Sequence, residues 1–129
     1  MRESIINLLW VGLGGAVGSA SRYALALLVQ RTSGSLFPLG TLTVNVLGCL
    51  AIGFLSARFE AVMIAPRYRL ALLVGALGGF TTFSTFSLET MQLFEARQAL
   101  RAGVNIVGSV LLCLACCWIG QRIGRAMAG

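Results

Sequence analysis

The chain has 129 residues, of which 57% are hydrophobic and only 11% charged, whereas a soluble domain carries roughly a quarter charged residues. It contains no Asp, Lys or His, so all ten cations are arginines and the formal charge is +6. That balance excludes His-based covalent catalysis, and the arginines mark the ends of apolar stretches, as snorkelling anchors do, instead of forming one nucleic-acid-binding face.

Four apolar stretches, about 4–30, 37–57, 70–96 and 102–121, each reach the roughly 20 residues that a helix needs to cross about 30 Å of hydrocarbon. They predict a single transmembrane domain over residues 1–129. The first stretch follows Arg2 and contains Ser19-Ala20-Ser21, which resembles a signal-peptide cleavage site. The apolar run continues past Arg22 as "YALALLVQ", too long for a secretory h-region, so it reads as a retained helix. Its "GLGGAVGSASRY" holds a GxxxG pair, Gly14 and Gly18, with Gly15 and Ser19 beside it. Small residues at that spacing let helix backbones approach closely in lipid. Arg22 lies deep in the stretch, with several apolar residues after it. An arginine there faces protein or a water-filled cavity and marks an ion path, or else snorkels or forms a structural ion pair.

The second stretch, "GTLTVNVLGCLAIGF", puts Thr41, Asn45, Gly48 and Cys49 on one helical face and Leu47, Leu50 and Phe54 on the other. Asn in a membrane helix often only joins helices, so for Asn45 a structural and a pore role both stand open. The third stretch contains "GGFTTFSTFSLE", where Gly78-Gly79 is the weakest helical point and predicts a break in mid-membrane. Non-helical backbone at that depth is tolerated only where it is buried in protein or lines a cavity. The hydroxyls of Thr81, Thr82, Ser84, Thr85 and Ser87 can satisfy the main-chain groups such a break releases. Phe80, Phe83 and Phe86 recur every three residues. They drift around a regular helix, and a break would turn some inward; a phenylalanine stripe by itself is more often core packing.

In the fourth stretch, Asn105, Ser109 and Cys113 form a polar stripe at i, i+4 and i+8, with Gly108 and Cys116 alongside. Two polar stripes on two helices predict a wetted crevice. Cys49, Cys113, Cys116 and Cys117 all lie in apolar segments, and "CLACC" has no His and no second Cys pair to complete a zinc set. They read as small buried hydrophobes.

The connections "RTSGSLFP", "RFEAVMIAPRYR" and "EARQALR" are short. With four crossings, Arg2, Arg58, Arg67, Arg69, Arg122 and Arg125 share one side of the membrane. Arg31, Arg97 and Arg101 lie on the other, with Arg22 near them. This is a mild bias towards the N-terminus inside, weak enough to permit insertion in both orientations. Hydroxyls, amides and electropositive aromatic edges offer neutral donors to a small anion, which must shed water yet still leave; a fixed cation in mid-path would trap it.

The stretches "GGAVGSASRY", "GTLTVNVLG" and "GGFTTFSTFSLE" resemble the Fluc (also called CrcB) family of small bacterial fluoride channels, over nearly the whole chain. The resemblance implies an all-α membrane protein of four transmembrane helices with the third broken in mid-membrane, assembled as an antiparallel, dual-topology homodimer in the bacterial inner membrane. It implies passive fluoride export through two pores, each lined by both subunits, which lowers cellular fluoride toxicity. Asn45 matches the pore asparagine, with Thr41 a turn earlier. Phe83 and Phe86 match the pair whose ring edges face fluoride, Ser84 and Thr85 the hydroxyls beside them, and Arg22 the vestibule arginine; Phe80 should be packing. Glu89 matches a glutamate near the polar track. The family also holds a structural sodium ion at the dimer interface on backbone carbonyls, here those of Gly78 and Thr81. In one respect the chain departs: the family's helix-four track opens with a tyrosine and continues with serines, whereas here it reads Asn105, Ser109, Cys113, and Cys is a poor donor. Conductance or ion route is expected to differ, selectivity not.

Two other readings compete. A small multidrug-resistance-type proton-coupled exporter has similar length and topology but needs a carboxylate in its first helix. This chain has Arg22 there, and no acid between Glu3 and Glu60. A non-catalytic assembly subunit would explain the glycines but not three helices with donor-lined faces.

Overall fold

The computed structural model describes residues 1–127, and these form four helical spans. Helix α1 (Arg2–Ser33) ends where Gly34 adopts a left-handed conformation, φ 59°, the usual device for stopping a helix at glycine. Helix α2 (Leu39–Ala61) follows Pro38. The third span, Pro66–Glu95, is composite: α3 (Pro66–Arg69), a π-helical stretch over Leu70–Leu77, α4 (Gly78–Phe80) and α5 (Phe83–Glu95). Pro66 opens α3 at a position where its missing N–H leaves no helical bond unmade. Helix α6 (Ala99–Ala126) completes the set. Between α5 and α6 the chain reverses on Arg97, which takes φ 57°. Its N–H donates to the Phe94 carbonyl and that of Gln98 to the Leu93 carbonyl, both at 2.9 Å, the Schellman closure in which glycine is commoner.

Two backbone contacts organise the bundle, and both are made by glycine. Helix α1 lies against the third span, where a Cβ on Gly14 or Gly18 would collide with the carbonyls of Ala71 or Ala76. Helix α2 lies against α6, where a Cβ on Gly53 would strike the Cys117 carbonyl and one on Gly120 the Leu50 carbonyl. Successive contacts, Gly53 with Cys117 and then Ala57 with Gly124, advance together along both helices, so α2 and α6 run parallel. In lipid there is little hydrophobic drive between helices, and close van der Waals contact of bare backbones takes its place. Large side chains such as Leu8, Leu9 and Leu13 are correspondingly exposed on the outside, at 62–70% for these three.

The third span breaks, but not where its composition predicts. Gly78 and Gly79 remain helical, and the extended residues are Thr81 (φ −85°, ψ 155°) and Thr82 (φ −149°, ψ 112°). The reason lies in packing. A Cβ on Gly79 would come within 2.7 Å of the Gly15 carbonyl, so that bare position serves the contact with α1. The break falls where a neighbouring helix can hold extended backbone.

Gly18→Ala and Gly53→Ala should each lower the unfolding free energy in an SDS titration by about 1–3 kcal/mol, the usual cost of overpacking, because carbonyls cannot rotate away as side chains do. Gly12→Ala, with nothing within 4 Å of its Cβ position, should leave the midpoint unchanged or slightly raised.

Candidate functional site

Asn45 and Thr82 form the hinge of the site. The Asn45 Nδ2 donates to the Thr82 carbonyl at 3.0 Å, and its Oδ1 accepts from the Thr82 N–H at 2.7 Å. One amide side chain on α2 thus satisfies both main-chain groups of the most extended residue in the third span. The Thr82 Oγ1 accepts from the Thr85 N–H at 3.2 Å and caps α5, as N-terminal hydroxyls do. It also bonds Thr85 Oγ1 at 3.0 Å and Ser84 Oγ at 3.2 Å. On the other side of the break, the Thr81 N–H and Oγ1 both donate to the Leu77 carbonyl at 3.0 Å. Helix α1 reaches the break as well. Arg22 Nη1 donates to the Thr81 carbonyl at 3.4 Å and Ser19 Oγ to that of Gly79 at 3.5 Å.

The break separates two crevices. One, of about 300 Å³, is lined by Asn45, Cys49, Phe83, Phe86, Ser109 and Cys113, with Gly78 and Thr81 also on its wall. The Phe83 and Phe86 rings lie 5.3 Å apart between centroids, inclined at 47°. Phe86 is buried, whereas Phe83 is 77% exposed on the open side. Phe80 lies against Gly48 instead, 3.3 Å from its Cβ position. The second crevice, of about 400 Å³, is lined by Arg22, Thr41, Thr82, Thr85 and Glu89. In it Thr41 Oγ1 donates to Glu89 Oε1 at 2.8 Å, while Glu89 Oε2 is buried without a hydrogen-bond partner. Thr82 borders both spaces.

The helix-four stripe divides in the same way. Ser109 and Cys113 line the first crevice. Asn105 is 2% exposed and sits behind it. Its Nδ2 donates to Thr90 Oγ1 at 2.9 Å, Thr90 donates to the Phe86 carbonyl at 2.7 Å, and Ser109 donates to Asn105 Oδ1 at 3.3 Å. This chain ties α5 to α6 behind the Phe86 ring. Of the residues singled out in the sequence, Asn45, Phe83, Phe86, Ser109, Gly78 and Thr81 therefore meet in one crevice. Arg22, Thr41, Thr85 and Glu89 meet in the other, and exposed Ser84 is joined to Thr82. Thr82 and Thr90 are the residues that sequence reasoning undervalued. Thr82 stands three places before Thr85, an N-cap spacing that could have marked it. Nothing local distinguishes Thr90, whose importance comes from facing Asn105 across two helices.

A small multi-pass helical protein with one span interrupted between donor-lined crevices belongs among membrane transport proteins by architecture. Residues 9–121 match the family model described as CrcB-like protein, Camphor Resistance (CrcB). The chain is 49% identical over 116 residues to the fluoride-specific ion channel FluC of Nitratidesulfovibrio vulgaris, covering 89% of this chain and 94% of that relative. It is 43% identical over 129 residues to the FluC of Ruminiclostridium cellulolyticum, covering 98% of each. It is also 44% identical over 124 residues to the FluC of Methylococcus capsulatus, but spans only 54% of that longer relative. The chain belongs to the CrcB family, and it is a multi-pass protein of the bacterial inner membrane.

Asn45→Ala should leave the Thr82 N–H without a partner, at about 1–3 kcal/mol if it stays buried, while the Thr82 carbonyl keeps only the first helical bond of α5. Hydrogen exchange should report this as faster exchange at residues 81–86, with α1 and α6 unaffected.

Proposed function

We propose that the chain is a passive fluoride-selective channel that exports fluoride from the cytoplasm and so lowers its toxicity. The observation that carries the reading is the start of α5. Two residues of its first turn, Phe83 and Phe86, line the first crevice. Helix N-termini present unsatisfied N–H groups and partial positive charge, which favour anions. In membrane transport proteins, interrupted helices offer such ends to anions and their carbonyl ends to cations. Around this end stand the Asn45 amide, which has a second N–H beside the one given to Thr82, and two aromatic rings whose edges are electropositive. Thr41, Ser84 and Thr85 complete the proposed polar path, with Asn105 holding Ser109 from behind it, Arg22 as its vestibule cation and Glu89 beside it. The names of the relatives agree with an ion channel for fluoride, as opposed to an enzyme. A proton-coupled drug exporter fits less well, because the charged residue in the interior of α1 is Arg22 and the helix's only acid, Glu3, lies in the first turn.

The working form in this proposal is an antiparallel homodimer with two pores, each lined by both subunits. The first crevice is open on the side where Phe83 stands 77% exposed, and a second copy would close it. The weak arginine asymmetry is compatible with opposite orientations in one membrane. A structural sodium ion belongs to the same proposal. Asn45 takes the Thr82 N–H that a continuous helix would give to the Gly78 carbonyl. A carbonyl oxygen has two lone pairs, so that of Thr81 can accept from Arg22 and still face a cation. Two such carbonyls from each copy would make four neutral oxygens, a hard donor set, and the bound ion would offset the crowding of carbonyl dipoles where two broken helices meet.

Phe83→Ile and Phe86→Ile should each lower fluoride efflux from proteoliposomes by orders of magnitude while elution in size exclusion stays unchanged. Isoleucine keeps the residue hydrophobic at modest packing cost but offers no ring edge. Phe80→Ile should retain flux, with chloride efflux as the control for selectivity. Loss of activity in Phe80→Ile, with Phe83→Ile and Phe86→Ile still active, would overturn this assignment.

Cross-linking tests the assembly separately. Protein purified in detergent should elute as a dimer, and cross-links should join equivalent helices running in opposite directions. A monomer that conducts fluoride would remove the two-subunit pore.

A further inference from the structure

No cysteine is given a donor role in the proposed anion path, yet a close helix contact brings two of them to the wall of its first crevice. Helices α2 and α6 run parallel, with the backbone at Gly53 against that of Cys117. One turn back along both helices from that contact, Cys49 stands beside Cys113. Both line the first crevice. The glycines at 53 and 120 leave no side chain between the two backbones, so the separation of the thiols is set by rigid elements.

We propose that Cys49 and Cys113 form a two-coordinate site for a thiophilic d10 cation, of the class of copper(I), silver(I) and mercury(II). Soft thiolates select soft cations. Among the described residues there is no group of three or more His, Cys, Asp or Glu side chains placed to hold a metal ion, which disfavours the tetrahedral set that zinc requires and leaves the linear, two-ligand chemistry of these cations. Binding is ligand exchange without electron transfer. Each S–H bond is replaced by an S–metal bond, and both protons leave to water. Once one thiolate has bound, the second is already at hand, so the pair should outcompete single thiols. The occupant would stand in the crevice that Asn45, Phe83 and Phe86 also line, where it would obstruct an ion's passage. The chelation does not depend on the fluoride reading; the obstruction does.

The test uses purified full-length protein and mercury(II) chloride. Native mass spectrometry in the presence of excess 2-mercaptoethanol should find one mercury retained per protomer in the wild type. Retention should fall about tenfold or more in Cys49→Ser and in Cys113→Ser, and persist in the Cys116→Ser/Cys117→Ser double variant. X-ray absorption at the mercury edge of the wild type should report two sulfur neighbours, a reading that needs no variant to fold. Retention in Cys49→Ser, loss in the double variant, a single sulfur neighbour, or mercury that joins two protomers would each overturn the site. In proteoliposomes, mercury should stop fluoride efflux in the wild type, a dithiol should restore it, and Cys49→Ser should resist. If mercury binds at two sulfurs as described and flux continues, the chelate stands and the assignment of this crevice to the ion path fails.

Discussion

A membrane helix can be interrupted only if something other than water takes up the N–H and C=O groups it releases, since each such group left bare in hydrocarbon costs several kcal/mol. Here a single side chain meets that constraint at the most extended residue. The Asn45 amide supplies one donor and one acceptor, and Thr82 uses both. The remaining groups near the break are taken by the side chains of Thr81, Thr82, Ser19 and Arg22. The rest of the site follows from this pairing. It holds α5 as a separate helix with its own N-terminus, and it leaves Thr82 between two crevices.

The clamp in turn depends on how closely the helices approach. A side chain as short as asparagine can reach a neighbouring main chain only if the backbones are near, and the bundle achieves this by removing side chains at the contacts. Gly14, Gly18 and Gly79 seat α1 against the third span, while Gly53, Gly120 and Gly124 seat α2 against α6. The second of these contacts also sets the spacing of Cys49 and Cys113. Small residues therefore act at a distance from themselves: none donates a hydrogen bond through a side chain, but they fix where the donors stand.

Polar groups are distributed by what each can tolerate. Asn105 is fully enclosed because Thr90 and Ser109 complete its hydrogen bonds. Arg22 stays half-exposed beside a crevice, in keeping with the high cost of an enclosed charge in the membrane. Glu89 sits between these cases, with one oxygen engaged by Thr41 and the other buried and unpaired. A buried oxygen without a partner calls for a water, an ion or a proton, and Arg22 lines the same crevice.

The number of spans, the presence of an interruption in the third and the identity of most lining residues were legible in the sequence. Hydropathy over some twenty residues is a local property, and the i, i+4 spacing that aligns Thr41 with Asn45, or Ser109 with Cys113, is fixed by helix geometry alone. The family motifs were local as well, running without gaps through "GGFTTFSTFSLE". What local reasoning misjudged was the position of the break, because propensity points to Gly78-Gly79 while those residues stay helical under the constraint of α1. The tertiary structure also decided that Asn105 stands behind the crevice, that Thr82 is the pivot, and that Cys49 and Cys113 share one crevice wall. Each of these is a relation between residues on different helices, set by which backbones touch and in what register, and no periodicity within one helix encodes it.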